Sequence, residues 1–439
     1  MAVDSKVVIR TYLLISGLFT LSGSLIWGIN TLFLLDAGLT IFQVFLANAA
    51  FTAAMAVFEI PTGVIADTLG RRMSFLLSEA TLALGTLAYV GAAYIEGGLL
   101  LFILAGVILG LGFAFYSGAT EAWVVDALKE TGYERELDPV FARAGVVNGV
   151  AMVIGTVGGG LLGQLDLAIP YLVRTAFILG AFAVGFRWMH DHGFQPRALR
   201  LRGVFGEMGK VVRAGMKYGW HQRATRLLML QSFLVNGFFA WAWYAWPPYF
   251  LELYGKNAVW LAGVIAALFS VAGVAGNFIA EHTAKAGRGR TTILIAASAL
   301  FTVAMAGTGA IRSFWITVPI FLVGAVAFGV IEPVRQTYLH RSIPSSERAT
   351  LVSMDELMGN LGGVGGQAGL GYLSQVRSVP VAFLFGGLAT LLALPILGRL
   401  RALRSDADEI EDAKASDRAT APGDRDTSAR ATPSHRSAE

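Results

Sequence analysis

The chain has 439 residues, with 34 Lys and Arg against 30 Asp and Glu, for a formal net charge of +4. Hydrophobic residues make up 55% and charged residues 15%, with a mean hydropathy of +0.61; a soluble domain carries roughly 25% charged residues, so this balance excludes one and points to a protein embedded in lipid. With no cysteine, disulfides and thiol chemistry are excluded too.

A helix crossing a hydrocarbon core of about 30 Å needs roughly 20 apolar residues. That ruler finds about twelve segments, near 10–36, 40–66, 74–95, 99–125, 140–165, 168–189, 226–253, 258–281, 291–311, 314–340, 350–376 and 379–400. The first follows Lys6 and Arg10 without a small-residue cleavage pattern, so it reads as a span and not as a cleavable leader. It contains Asn30, and the second contains Glu59 just before Pro61. Charge then clusters in Gly63-Val64-Ile65-Ala66-Asp67-Thr68-Leu69-Gly70-Arg71-Arg72, a short turn between two spans. The inner half of the fourth segment holds Glu121 and Asp126. The fifth holds Asn148 and the run Gly155 to Gly160; in the sixth, Arg174 stands near the outer end, where it can snorkel to the interface.

The longest polar interruption, roughly 190–225, mixes His190, Arg197, Arg200, Lys210 and Lys217 with apolar residues, as a linker with an amphipathic stretch on the membrane surface would. The seventh segment carries Gln231, Asn236 and the aromatics Phe238, Phe239, Trp241, Trp243, Tyr244, Trp246, Tyr249 and Phe250 around Pro247-Pro248. A bent aromatic helix of this kind suits a lipophilic or cationic ligand as well as an interfacial belt. The tenth segment has Glu332, Arg335 and Gln336, with Glu332 and Arg335 spaced for a local ion pair. Asp355 and Glu356 begin the eleventh, where the helix dipole favours acids as end-caps, ahead of Gly359 to Gly366. Beyond Arg404 large apolar residues almost vanish, and that tail is expected to be disordered.

Lysine and arginine crowd the even-numbered breaks and both ends, which puts the termini and the basic loops in the cytoplasm. The expected division is a bundle over 1–189, a linker over 190–225, a second bundle over 226–400 and a tail over 401–439. Asn277-Phe278-Ile279-Ala280-Glu281, followed by Gly287, Arg288 and Arg290, echoes Gly63 to Arg72, so the halves read as a duplication. The glycine stretches of the fifth and eleventh segments are expected to face each other across the seam.

The pattern Gly63-x-x-x-Asp67-x-x-Gly70-Arg71-Arg72 resembles the signature loop of the major facilitator superfamily. The resemblance implies an all-α membrane fold with twelve transmembrane helices in two pseudo-symmetric six-helix bundles. It also implies a conformational latch in which Asp67 and Arg71 form a charge cluster with Asp126. The glycine pattern leans toward the bacterial drug/proton antiporter type, and Glu59-Ile60-Pro61-Thr62-Gly63 with Glu121-Ala122-Trp123 and Asp126 looks like a bacterial subgroup of efflux proteins. Two departures stand against this: Gly106 occupies the place of an expected arginine, and Thr156 that of an expected proline.

An ionisable group within a span is costly, hence a functional candidate. Glu121, with no cation nearby in sequence, is the first expectation for a proton carrier, then Glu59, then Glu332. Asn30, Asn148, Gln231, Asn236, Trp241, Tyr244 and Gln336 are expected to contact substrate, with hydrogen bonding between helices the alternative for the amides. No phosphate-cradling Gly-x-x-x-x-Gly-Lys-Ser/Thr motif occurs. Neither metal-ligand spacing nor a nucleophile triad is present, so no cofactor, metal or enzymatic activity is expected. The expected function is proton-coupled efflux of an amphipathic or lipophilic small molecule by alternating access; the alternative is uptake or facilitated diffusion of a nutrient. Protons, membrane lipids and the small-molecule substrate are the expected partners, nucleic acid is not, and a monomer in the cell (inner) membrane is anticipated.

Overall fold

The computed structural model describes residues 4–409 apart from 192–193, 195–205, 207–208, 210–212, 214, 216–218, 256, 285–288 and 345–346. Among the described residues all regular structure is helical. The first half comprises α1 (Ser5–Trp27), α2 (Asn30–Asp36), α3 (Ile41–Leu69), α4 (Arg71–Tyr94), α5 (Gly98–Tyr116), α6 (Ala119–Glu130), α7 (Asp138–Leu165) and α8 (Ile169–Trp188). The second comprises α9 (Arg223–Tyr254), α10 (Val259–Ala284), α11 (Arg290–Ala310), α12 (Phe314–Ser342), α13 (Arg348–Val376), α14 (Val379–Ala389) and α15 (Ala393–Ala402). Among the described residues eleven spans are long and apolar enough to cross a membrane. The glycine-rich α13 runs 29 residues and stands in the place of the remaining expected span, packed on α9 and α3.

Three expected single spans are interrupted. The first bends between α1 and α2 at Gly28 and Ile29, the last passes through a 3₁₀ turn at Thr390–Leu392, and the fourth breaks at Ser117 and Gly118. Gly118 has φ +69°, a conformation that only glycine adopts freely, and this re-aims α6 away from α5. The charged loop proves shorter than expected. Gly63 to Leu69 form the last turns of α3, and Gly70 alone, at φ +105°, separates α3 from α4.

The two halves repeat one packing scheme. In the first, α1 packs on α7, α3 on α5, α4 on α5 and α4 on α8; in the second, α9 packs on α13, α10 on α12, α11 on α12 and α11 on α14. The halves meet chiefly through α7 with α10 and α3 with α13, and also through α2 with α9. Large apolar side chains such as Val146, Val150, Ile154, Val271, Val274 and Phe278 point outward, as a helix surface in hydrocarbon requires.

The glycine stretches do not face each other. On α7, Gly155 and Gly159 seat against Leu21, Ser24 and Leu25 of α1, while Gly160 crosses the seam to Gly263 of α10, where a Cβ on Gly160 would stand 2.8 Å from the Gly263 backbone. On α13, Gly362 and Gly366 seat against Phe233 and Gly237 of α9, while Gly363 faces Thr52 of α3 and, beyond the stretch, Gly371 crosses to Phe45. Each stretch therefore binds its own half with some glycines and the other half with another. A single helix turns different faces to both neighbours, which a one-dimensional count of glycines does not resolve.

At the end that carries Arg71, Arg72 and both described termini (the basic end), a carboxylate closes each half in the same way. Asp191, just past α8, accepts from the Arg72 backbone N–H at 2.8 Å and lies against Gly70. Asp408, just past α15, accepts from the Thr291 backbone N–H at 2.6 Å and from its hydroxyl at 2.8 Å, and lies against Gly289. Both acids satisfy the open N–H groups at the start of a helix, α4 or α11, and stand at its positive dipole end. Burial pushes the Asp191 carboxyl above its ordinary value, against the downward pull of the Arg72 N–H and the Arg72 and Arg71 charges. The segment 405–409, expected to be disordered, is thus folded onto α11, with Ala407 buried and its carbonyl accepting from Arg290 at 2.9 Å. The remainder of the tail and most of the expected amphipathic linker lie outside the described residues.

Candidate functional site

The halves are held together at the end opposite the basic loops. There Trp27 meets Trp243 with ring centroids 5.7 Å apart, and Thr31 donates to the Tyr244 carbonyl at 2.6 Å. Phe42 packs on Tyr372, and its N–H donates to Gln375 at 3.4 Å; the Trp260 N–H donates to Gln164 at 3.3 Å. The innermost link is Gln367, which donates to Thr52 at 3.3 Å. Among the described residues, no hydrogen bond joins the halves between that point and the basic end.

Below this closure lies a cavity of about 660 Å³ between the halves. Its deep part is aromatic and uncharged, walled by Trp27, Phe239, Trp243 and Tyr244 with Thr52 and Gln367. Its part nearer the basic end carries Glu59, Glu332, Asp355 and Glu356 with, among the described residues, one cation, Arg335. The sequence arranges this by helical period. On α9, Phe239, Trp243 and Tyr244 fall on the cavity face, while Phe238, Trp241, Trp246, Tyr249 and Phe250 fall on the face buried in the second half. On α13, Asp355, Glu356, Gly359, Asn360, Gly363 and Gln367 recur at three and four residues along one face.

The cation is committed. Arg335, 3% exposed, reaches Asp355 at 2.7 Å and Glu332 at 3.0 Å. Gln336 also donates to Glu332, at 2.9 Å. Glu59 accepts from the Ser117 hydroxyl at 3.3 Å. Two buried acceptor atoms on this wall are left without a donor, Asp355 Oδ1 and Gln367 Oε1. Acceptors thus outnumber donors, and the surroundings suit a ligand that brings positive charge and N–H groups.

Of the expected site residues, Glu59, Glu332, Asn236, Tyr244 and Gln336 line the cavity. Glu121 does not. It is exposed in the first turn of α6, because the break at Gly118 carries α6 off the course of α5, so the expected desolvated carboxyl is absent there. Asn30 lies inside the first half, donating to Asn48 at 3.1 Å and accepting from the Tyr171 hydroxyl at 2.9 Å. Asn148 accepts from Ser16 at 2.9 Å, tying α7 to α1. Gln231 and Trp241 are fully buried in the second half, off the cavity. For Asn30 and Asn148 hydrogen bonding between helices is the role the structure shows.

The latch residues gather only in part. Arg71 pairs with Asp67 at 2.8 Å, one turn away across Gly70, and Arg72 donates to the Phe186 carbonyl at 2.7 Å. Among the described residues no ion pair joins Arg71 to Asp126. Sequence reasoning missed Asp355, Glu356 and Gln367 as cavity residues; their spacing on one face of a long helix was the available signal. It missed Glu79 as well, which is 0% exposed in α4 with neither carboxyl oxygen hydrogen-bonded. Arg174 is not at the interface but buried in α8, 3% exposed.

Sequence comparison agrees with this architecture. The Major Facilitator Superfamily model matches residues 12–367 and 262–424. The chain belongs to the Major Facilitator Superfamily. It is similar to a Bacillus subtilis (strain 168) protein described as the uncharacterized MFS-type transporter YxaM, at 21% identity over 383 residues, covering 83% of this chain and 88% of that one. Its fold is similar to the crystal structure of the nucleoside transporter NupG, with a TM-score of 0.73, 10% identity and coverage of 91% and 99%. It is also similar to the human organic anion transporter MFSD10 (TETRAN), with a TM-score of 0.61, 16% identity and coverage of 90% and 100%. The superfamily is one of transporters, and the helical fold is what this chain shares with the solved structures.

Proposed function

We propose that this transporter exports an amphipathic small molecule with a cationic centre in exchange for protons, by rocking its two halves about the central cavity. The observation that carries the reading is the division of that cavity into an aromatic end and an end with four carboxyls and one arginine. A lipophilic body would stack on Trp27, Trp243 and Phe239, and a cationic group would sit among the acids. Carboxyls in a site that water enters from alternating sides can load a proton on one and release it on the other. The closure at the opposite end, with the cavity on the side of the basic end, corresponds to one of the two states that alternating access requires.

The excess of lysine and arginine in the loops at the basic end supports a cytoplasmic side for the termini and the cavity mouth. The separation of Arg71 from Asp126 is what a released latch would look like, and in the opposite state Asp126 would join Asp67 and Arg71. Carboxamides on the cavity wall, Asn236, Asn360, Gln336 and Gln367, favour a second reading: uptake of an uncharged polar solute.

Proteoliposomes separate the two readings. Export predicts that an outward-directed gradient of a fluorescent lipophilic cation dissipates faster when the opposite compartment is acid, and that this acceleration collapses without a pH gradient. Saturable flux of a neutral solute such as a nucleoside, indifferent to pH, would favour the second.

A further inference from the structure

Arg335 balances Glu332 and Asp355, and Gln336 adds a donor to Glu332. What remains at the mouth of the cavity is an acid from each half, Glu59 on α3 and Glu356 on α13, on the two helices that form one of the seams. Among the described residues Glu59 has a hydroxyl as its donor and no cation, and no cation is bonded to Glu356. Glu59 and Glu356 line the same mouth, beside Asp355, Arg335 and Glu332. Every charged group facing the pair from α3, α12 and α13 is among these five; α9 presents Ser232 and Asn236, and the α5–α6 break presents Ser117. Beside the pair, Asp355 is 1% exposed with Oδ1 lacking a donor, and among the described residues of the cavity wall Arg335 is the one positive charge.

We infer that Glu59 and Glu356 form a cross-seam acid pair that must take up one positive charge, a proton or the protonated amine of a ligand, before the halves close at the basic end. This rests on the transport reading above. With both carboxylates ionised, bringing α3 and α13 together forces two like charges into a site of falling dielectric, where their repulsion grows. One shared proton or one ammonium group turns that repulsion into a hydrogen-bonded link. The two occupants exclude each other because they neutralise the same pair, and this exclusion is the requirement for exchanging one for the other.

The test uses the full chain in lipid nanodiscs. Its lack of cysteine allows spin labels at Leu69→Cys and Arg348→Cys alone, exposed positions at the basic ends of α3 and α13. Lowering the pH from about 9 to about 5, a range that spans perturbed carboxyls, should shift the interspin distances toward a shorter population. Adding dodecylammonium at the high-pH end should produce the same shift. Glu59→Gln combined with Glu356→Gln should be short throughout and deaf to both, while Glu59→Asp and Glu356→Asp should keep the response. An unchanged pH response in the double Gln variant, or none in the otherwise native chain, overturns the inference. So does failure of dodecylammonium to shift the native chain. Monodisperse elution and an unshifted melting temperature show that each variant is folded. If the distances contradict the pair while proton-driven flux persists, the pair is wrong and the transport reading stands.

Discussion

The two halves share a scaffold but use buried charge in opposite ways. In the second half, Arg335 sits between Asp355 and Glu332 at bonding distance, and the cluster forms part of the cavity wall. In the first half, Glu79 and Arg174 are equally buried, yet they make no ion pair with each other and neither lines the cavity. The duplicated packing therefore tolerates two electrostatic solutions. One is a tight network whose members depend on each other; the other is a pair of charges in an apolar bundle that feel each other only at a distance. The difference teaches that the asymmetry of this transporter lies in its side chains, with the second half holding most of the charged chemistry and the first supplying Glu59 as its counterpart.

The largest effect should come from Arg335. Removing one member of a buried ion pair leaves an uncompensated charge and costs about 3–5 kcal/mol. Arg335→Met is expected to lower the melting temperature sharply and to reduce the yield of folded protein. Adding Asp355→Asn and Glu332→Gln should restore most of the stability without restoring transport. A mild loss on Arg335→Met would show that the network is not mutually dependent and would dissolve the contrast between the halves.

Next come the duplicated caps, where the halves should behave alike. Asp191→Ala and Asp408→Ala each remove a carboxylate from the start of a helix, and a lost cap costs about 0.5–2 kcal/mol. Equal shifts in thermal unfolding are expected, and ending the chain after Arg404 should cost at least as much as Asp408→Ala. If only one of the two acids matters, the symmetry at the basic end is superficial.

At the seam, Gly263→Val places a side chain against Gly160 and the Thr156 carbonyl, so the closed end must open. Bulk forced into packed helices costs roughly 1–3 kcal/mol. Cysteine accessibility at the opposite end should rise, and labelling inside the cavity from the basic side should fall.

How much of this was legible differs between fold and site. The all-helical membrane fold and its two bundles followed from hydropathy and one motif, while the turn expected over Gly63 to Arg72 shrank to Gly70. Glu121 was expected to be desolvated, but it is exposed in the first turn of α6; the signal for that was Gly118 three residues earlier, whose positive φ breaks the span. Asp355 and Glu356 were read as end-caps because they lie near the start of α13; their true setting depends on α9 and α12, which hydropathy along one helix does not reveal. The same holds for Arg174. Its place near one end of a span suggested snorkelling, but α4 and α8 pack together and bury that face.

The smallest expected effect belongs to Glu79 and Arg174, and it bears most directly on the comparison. Among the described residues Glu79 has no donor in reach, so exchanging its carboxyl for an amide of the same shape sacrifices no hydrogen bond. Arg174 likewise has no bonded partner for Nε. Buried ions without tight pairing offer little net stabilisation, since desolvation consumes what attraction provides. Glu79→Gln and Arg174→Gln should therefore each change stability by no more than about 1 kcal/mol. Because residues out of contact act nearly additively, the double variant should equal the sum of the single changes within about 0.5 kcal/mol. The parallel cycle on Asp355→Asn and Arg335→Met should show a coupling several times larger. A comparable coupling for Glu79 and Arg174 would mean that the two charges come together in the other state of the transport cycle, and the first half would then hold a second switch of its own.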